Sequence, residues 1–114
     1  MHWNSIIKDF KYYCNVERSL SVNTTLAYLR DLKKLQEWST DRNITTPGEL
    51  TTVVMREFLH ETSTALNAKS LARLISSLKT FYRYLILEKY VDVSPMELID
   101  APKTSRNLPD SLSV

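Results

Sequence analysis

An all-α fold is what this 114-residue sequence predicts, and three observations predict it. The chain holds one glycine, Gly48, and four prolines, too few breakers for a β-rich fold built on tight turns. Apolar residues recur three and four apart over several long segments, the spacing of one face of an α-helix. Residues that cap helices stand just ahead of those segments. The expected architecture is four main helices in two crossed hairpins with a short fifth helix.

Trp3 to Arg18 reads as the first helix: Trp3, Ile6, Ile7, Phe10, Tyr13 and Cys14 fall on one stripe. Cys14 within that stripe reads as a small buried hydrophobe. As the only cysteine, it permits no internal disulfide, which fits a reducing, cytoplasmic setting. Ser21 is a good N-cap for a second helix running to about Trp38 or Ser39, with Asn23 and Thr24 able to share the capping. Thr25, Tyr28, Leu29, Leu32 and Leu35 line its core side, with Trp38 at the margin. Residues 40–48 form the clearest loop, with a turn at Pro47-Gly48. A third helix from about Thr52 to Thr62 turns Leu50, Val54, Phe58 and Leu59 inward. Asn67 caps a fourth, whose stripe of Leu71, Leu74, Ile75, Leu78, Phe81, Tyr82, Leu85 and Ile86 lasts four turns and organises the chain. The long helix ends within Tyr90 to Val93. Ser94, Pro95 and Glu97 then stand as cap, first position and third position of a capping box, predicting a brief fifth helix that ends before Pro102. Tyr13, Tyr28 and Tyr82 lie on core stripes, and Tyr12, Tyr84 and Tyr90 at edges or ends.

The polar side of the fourth helix sets it apart. Lys69, Arg73, Ser76, Ser77, Thr80 and Arg83 face away from the stripe, with Lys79 at the edge, and no carboxylate occurs between Glu61 and Glu88. A solvated helix face ordinarily mixes both signs. Basic groups and hydroxyls without acids suit a polyanion. Net charge is only +2, so any attraction for anions comes from the placement of charge. On the second helix Asn23, Ala27, Arg30 and Lys34 form a similar row, diluted by Asp31 and Glu37.

Chemistry of other kinds lacks its residues. His2 and His60 are far apart and near no cysteine, so neither has metal-ligand spacing. There is no glycine-rich phosphate loop, no nucleophile elbow and no Ser/His/Asp set. Neither a cofactor nor catalysis by the chain alone is expected. No apolar run is long enough to span a membrane, and the N-terminus has no signal-peptide pattern.

Two segments carry a resemblance. Leu20-Ser21-Val22-Asn23-Thr24 with Tyr28, Asp31, Leu32 and Trp38 resembles the LSxNTxxxYxxDLxxFxxW stretch of tyrosine site-specific recombinases, Leu35 standing where those proteins often have Phe. Ser70, Ala72, Arg73, Ser76, Leu78, Phe81, Tyr82, Tyr84 and Leu85 resemble their SxARxLSxLRxFYxYL helix, with Lys79 where Arg is common. Ser94-Pro95, Pro102-Lys103 and Leu108-Pro109 are similar to the exit from that domain. The likeness covers about residues 4 to 114 and is strongest to Xer-type recombinases and phage-like integrases.

The resemblance implies a SAM-like, four-helix core-binding domain over residues 1–102. Residues 103–114 are then a linker to a catalytic domain beyond Val114, where the catalytic residues lie. It implies half of a C-shaped clamp on duplex DNA, with the second and fourth helices crossing at the major groove. The resemblance further implies that the longer protein cuts and rejoins DNA through a 3′-phosphotyrosine intermediate. The expected contacts are Ser21, Asn23, Thr24, Arg30, Lys34, Lys69, Ser70, Arg73, Ser76, Ser77, Thr80 and Arg83. Ser21 and Thr24 are placed for phosphate, and Arg30 and Arg73 for base edges. The first and fifth helices, with Trp3, Met96, Leu98 and Ile99, are expected to meet other recombinase protomers, the isolated chain being monomeric. A SAM-like adaptor without a DNA role and a helix-turn-helix regulator are the alternatives.

Overall fold

The computed structural model describes residues 2–99. Within them the chain forms α1 (Trp3–Tyr12), α2 (Val22–Asp41), α3 (Thr52–Ser63) and α4 (Ala68–Leu87), and no strand. The expected all-helical, four-helix SAM-like bundle is what folds. The residues assigned to a linker lie outside the described part.

Three of the four helices, α2, α3 and α4, start where a side chain takes up a free N–H, whereas His2 ahead of α1 makes no such bond. Ser21 Oγ accepts from Thr24 N at 3.1 Å, Thr51 Oγ1 from Val54 N at 3.2 Å, and Asn67 Oδ1 from Ser70 N at 2.8 Å. The helix ends are unusual because the chain is so poor in glycine. α2 closes with Ile44 N donating to Ser39 O and Asn43 N to Thr40 O, and α4 with Tyr90 N to Leu85 O and Lys89 N to Ile86 O. Both are Schellman closures, made with left-handed residues at Asn43 and Lys89, each at φ 62°. This closure stops α4 at Leu87, short of Tyr90. Helix α1 widens into a π-helical turn, Tyr13–Glu17, and Arg18 N reaches back to Tyr13 O.

Helix α4 is the spine. Leu74, Leu78, Phe81, Tyr82 and Leu85 are fully buried on it. Trp3, Phe10 and Tyr13 of the first helix bring their rings to one turn of α4: Trp3 stacks 6.2 Å from Phe81, Phe10 meets Phe81 edge-on at 5.3 Å, and Tyr13 lies 5.0 Å from Tyr84. That cover buries Tyr84, which the helical wheel puts at an edge. Burial also pushes its phenol up to about 12, with Asp9 and Glu88 adding to the shift. Tyr82 Oη donates to the Pro47 carbonyl at 2.7 Å, tying the loop after α2 to the spine. The C-terminal end of α2 is clamped to α3 by Glu61, which accepts from Trp38 Nε1 at 3.1 Å and pairs with Arg42 at 2.9 Å. Arg42 in turn lies 3.9 Å over the Trp38 ring.

Several expectations are corrected. Ile86 is exposed, and Met55 is buried in α3. The brief fifth helix is replaced, within the described residues, by a turn over residues 95–98. Ser94 Oγ accepts from Met96 N at 3.0 Å rather than from Glu97 N, and the backbone bonds run three residues back, Glu97 to Ser94 and Ile99 to Met96. This tighter winding lets Met96 and Ile99 both enter the core.

Candidate nucleic-acid interface

The two longest helices, α2 and α4, are twenty residues each and pack on one another. Three side-chain links join their facing sides. Tyr28 Oη lies 3.3 Å from Ser76 Oγ. Asp31 takes a bidentate bond from Arg73, Nη2 to Oδ1 at 2.9 Å and Nε to Oδ2 at 3.1 Å. Ser77 Oγ stands 3.1 Å from the same Oδ2 and 2.8 Å from the Leu74 carbonyl. Asp31 has no exposed side-chain surface, whereas Arg73 keeps 38% of its own. The bond to Asp31 raises the Arg73 pKa above its ordinary value, outweighing the opposing effect of burial. The pair is therefore a fixed, internally neutralised unit at the seam.

Both helices also carry cations that are not neutralised in this way. Lys69 and Arg83 on α4, and Arg30 and Lys34 on α2, are exposed and take part in neither of the ion pairs found among the described residues. Ser21, Asn23 and Ser76 are exposed with them, and Thr24 and Ser70 are half-buried. Ser21 is already engaged as the cap of α2, its hydroxyl 2.9 Å from Thr24 Oγ1. From Lys69 to Arg83 the row covers about 21 Å at 1.5 Å per residue. Past Arg83 it ends in a cleft whose other wall carries Asp92 and Glu97, and those carboxylates oppose an anion there.

Two expected contacts leave this face. Ser77 has no exposed surface and Thr80 only 7%. Their hydroxyls are satisfied on their own helix, Thr80 by the Ser76 carbonyl at 3.0 Å and Ser77 by that of Leu74, so the bundle can bury them at small cost. Asp31, read from the sequence as a surface carboxylate diluting the α2 row, is instead the buried partner of Arg73. Of the apolar residues expected to meet other protomers, Trp3, Met96 and Ile99 are in the core and Leu98 is exposed.

The fold and this face together define a small all-helical module with a cationic, hydroxyl-bearing surface on its two longest helices. Residues 7–89 match the family model for the phage integrase N-terminal SAM-like domain, and the chain belongs to that family. It is similar to the tyrosine recombinase XerD of Staphylococcus aureus strain Mu50, 38% identical over 111 residues, which cover 96% of this chain and 38% of the relative. XerD of Staphylococcus epidermidis is 36% identical over 112 residues, with 97% and 38% covered. The chain thus spans about two fifths of the length of the curated relatives it matches. No solved structure matches it at a significant level. Among the described residues no helix is long and apolar enough to cross a membrane.

Proposed function

We propose that this chain is the DNA-binding half-clamp of a tyrosine site-specific recombinase, gripping duplex DNA through α2 and α4. In the longer protein a following domain then cuts and rejoins the strands through a 3′-phosphotyrosine intermediate. The observation that carries this is the composition of α4: Lys69 and Arg83 stand exposed, outside any ion pair among the described residues, on a helix with no carboxylate along its own length. Arg30 and Lys34 extend the field onto α2. Such cations attract the phosphate backbone and displace its counterions. Most of the contacts position the protein rather than read sequence. The row from Lys69 to Arg83 is long enough for roughly six base pairs at 3.4 Å each. Membership of the integrase N-terminal domain family and likeness to XerD recombinases support the same reading. Assembly with further recombinase protomers on paired sites, and action in the cytoplasm, belong to this proposal.

The test uses short duplexes and fluorescence anisotropy across a salt series. Lys69→Ala, Arg83→Ala and Arg30→Ala should each weaken binding and reduce the slope of log K against log salt by about 0.9. A SAM-like adaptor would show no salt-sensitive binding at all. If all three variants keep their helicity and leave the slope unmoved, the surface has been assigned wrongly.

A further inference from the structure

The buried carboxylate of Asp31 sits between the two helices of the proposed interface, and its cationic partner is one of the residues expected to touch DNA. From this geometry we infer that Asp31 is a positioning residue: it locks the Arg73 guanidinium in the seam and cancels its charge, so that Arg73 acts as a directional donor and not as a phosphate counter-charge. The inference rests on the DNA-binding reading and deepens it.

Three observations carry it. Asp31 has no exposed side-chain surface, and both its oxygens are engaged by Arg73, with Ser77 against one of them. A carboxylate so held cannot swing away when a ligand arrives, and its planar match to the guanidinium fixes the arginine in orientation as well as in place. The arginine, for its part, is not used up. Guanidinium has five N–H donors in a rigid fork. Asp31 takes one on Nε and one on Nη2, leaving both donors of Nη1 and the second of Nη2, on a side chain 38% exposed. Two of these form the outer edge of the fork, the spacing that matches the paired acceptors of guanine in the major groove. Finally, Lys69, Arg30, Lys34 and Arg83 lie outside any ion pair among the described residues. The surface thus separates free cations, which attract any duplex, from one neutralised arginine whose remaining donors are held in a set direction.

Asp31→Asn and Arg73→Lys test this, each checked for its melting transition. The probes are short duplexes of random sequence and the duplex most enriched from that pool by the unmodified chain. Asp31→Asn releases the arginine charge. Binding to the random pool should tighten several-fold, its salt slope should steepen by about 0.9, and preference for the enriched duplex should fall about tenfold. Arg73→Lys keeps the charge but loses the fork. Its preference should fall as far, with its slope on the random pool close to that of the unmodified chain. If the Asn variant does not fold, the Lys variant decides alone. A folded Asn variant whose slope and preference both stay put overturns the assignment, as does a Lys variant that keeps its preference, or an unmodified chain with no preference to lose. Should Lys69→Ala and Arg83→Ala also leave the slope unmoved, the interface itself has failed; if they lower it while Asp31→Asn does not raise it, only the role given to Asp31 falls.

Discussion

Arg73→Ala is expected to damage the fold before it reports on any contact with DNA. Truncating this arginine strips Asp31 of two charge-assisted hydrogen bonds, at 2.9 and 3.1 Å, and leaves a carboxylate with no exposed surface facing only the Ser77 hydroxyl. Breaking a buried pair from one side costs on the order of 3–5 kcal/mol. The Arg73 side chain is 38% exposed, so its removal opens a route by which water reaches Asp31. The expected loss is accordingly about 2–4 kcal/mol, or roughly 10–20 °C in melting temperature for a chain of this size. Urea unfolding followed by far-UV circular dichroism measures it. The counterpart is Asp31→Leu with Arg73→Met, which removes both charges and fills the seam with apolar volume. It should lie within about 1 kcal/mol of the unmodified chain, because replacing a buried ion pair by well-packed hydrophobic groups is often near neutral. The two single-site changes should therefore be strongly non-additive. An Arg73→Ala chain less than about 0.5 kcal/mol below the unmodified one, the ordinary range for a surface change, would refute the claim that Asp31 depends on this partner.

Two further outcomes can be checked alongside. Tyr82→Phe removes the shorter of the two bonds to the Pro47 carbonyl, 2.7 Å from Tyr82 Oη, while keeping the ring in the core, and should cost about 1 kcal/mol in the same urea titration because only the longer bond from Leu50 N, at 3.4 Å, remains; an unchanged midpoint would mean that the Leu50 bond alone satisfies the carbonyl. Desolvation pushes the Cys14 thiol up to about 11, with Arg18 opposing only in part. At pH 8 its thiolate should be about 100-fold scarcer than in an exposed cysteine and its reaction with a disulfide reagent slower by at least that factor. The sign for stability follows. The fold holds this proton more tightly than the unfolded chain does, so the thiol's contribution is full below the ordinary thiol range and is lost as pH rises toward 11. Rapid labelling of the native chain at pH 8 would contradict the burial of Cys14.

What could be read from the chain was whatever depends on near neighbours. Ser21 and Asn67 were legible as caps because a capping oxygen reaches an N–H only three residues ahead. The α4 stripe was legible because helical period alone puts Leu74, Leu78, Phe81 and Leu85 on one side. Family motifs extended that reach to the fold. Tertiary structure decided everything that needed a partner far along the chain. Asp31 reads as a surface acid until Arg73, 42 residues on, closes over it, since a lone carboxylate is stable inside a protein only when it is paired. Ser77 and Thr80 carry the polarity of an outer face, yet each hydroxyl bonds a carbonyl of its own helix and the surrounding helices cover them. Periodicity assigns a residue to a side of its helix; how much of that side is covered depends on what packs against it. Here the packing converts one of the expected DNA contacts, Arg73, into part of an internal ion pair, and leaves Lys69, Arg83, Arg30 and Lys34 exposed and outside any ion pair among the described residues.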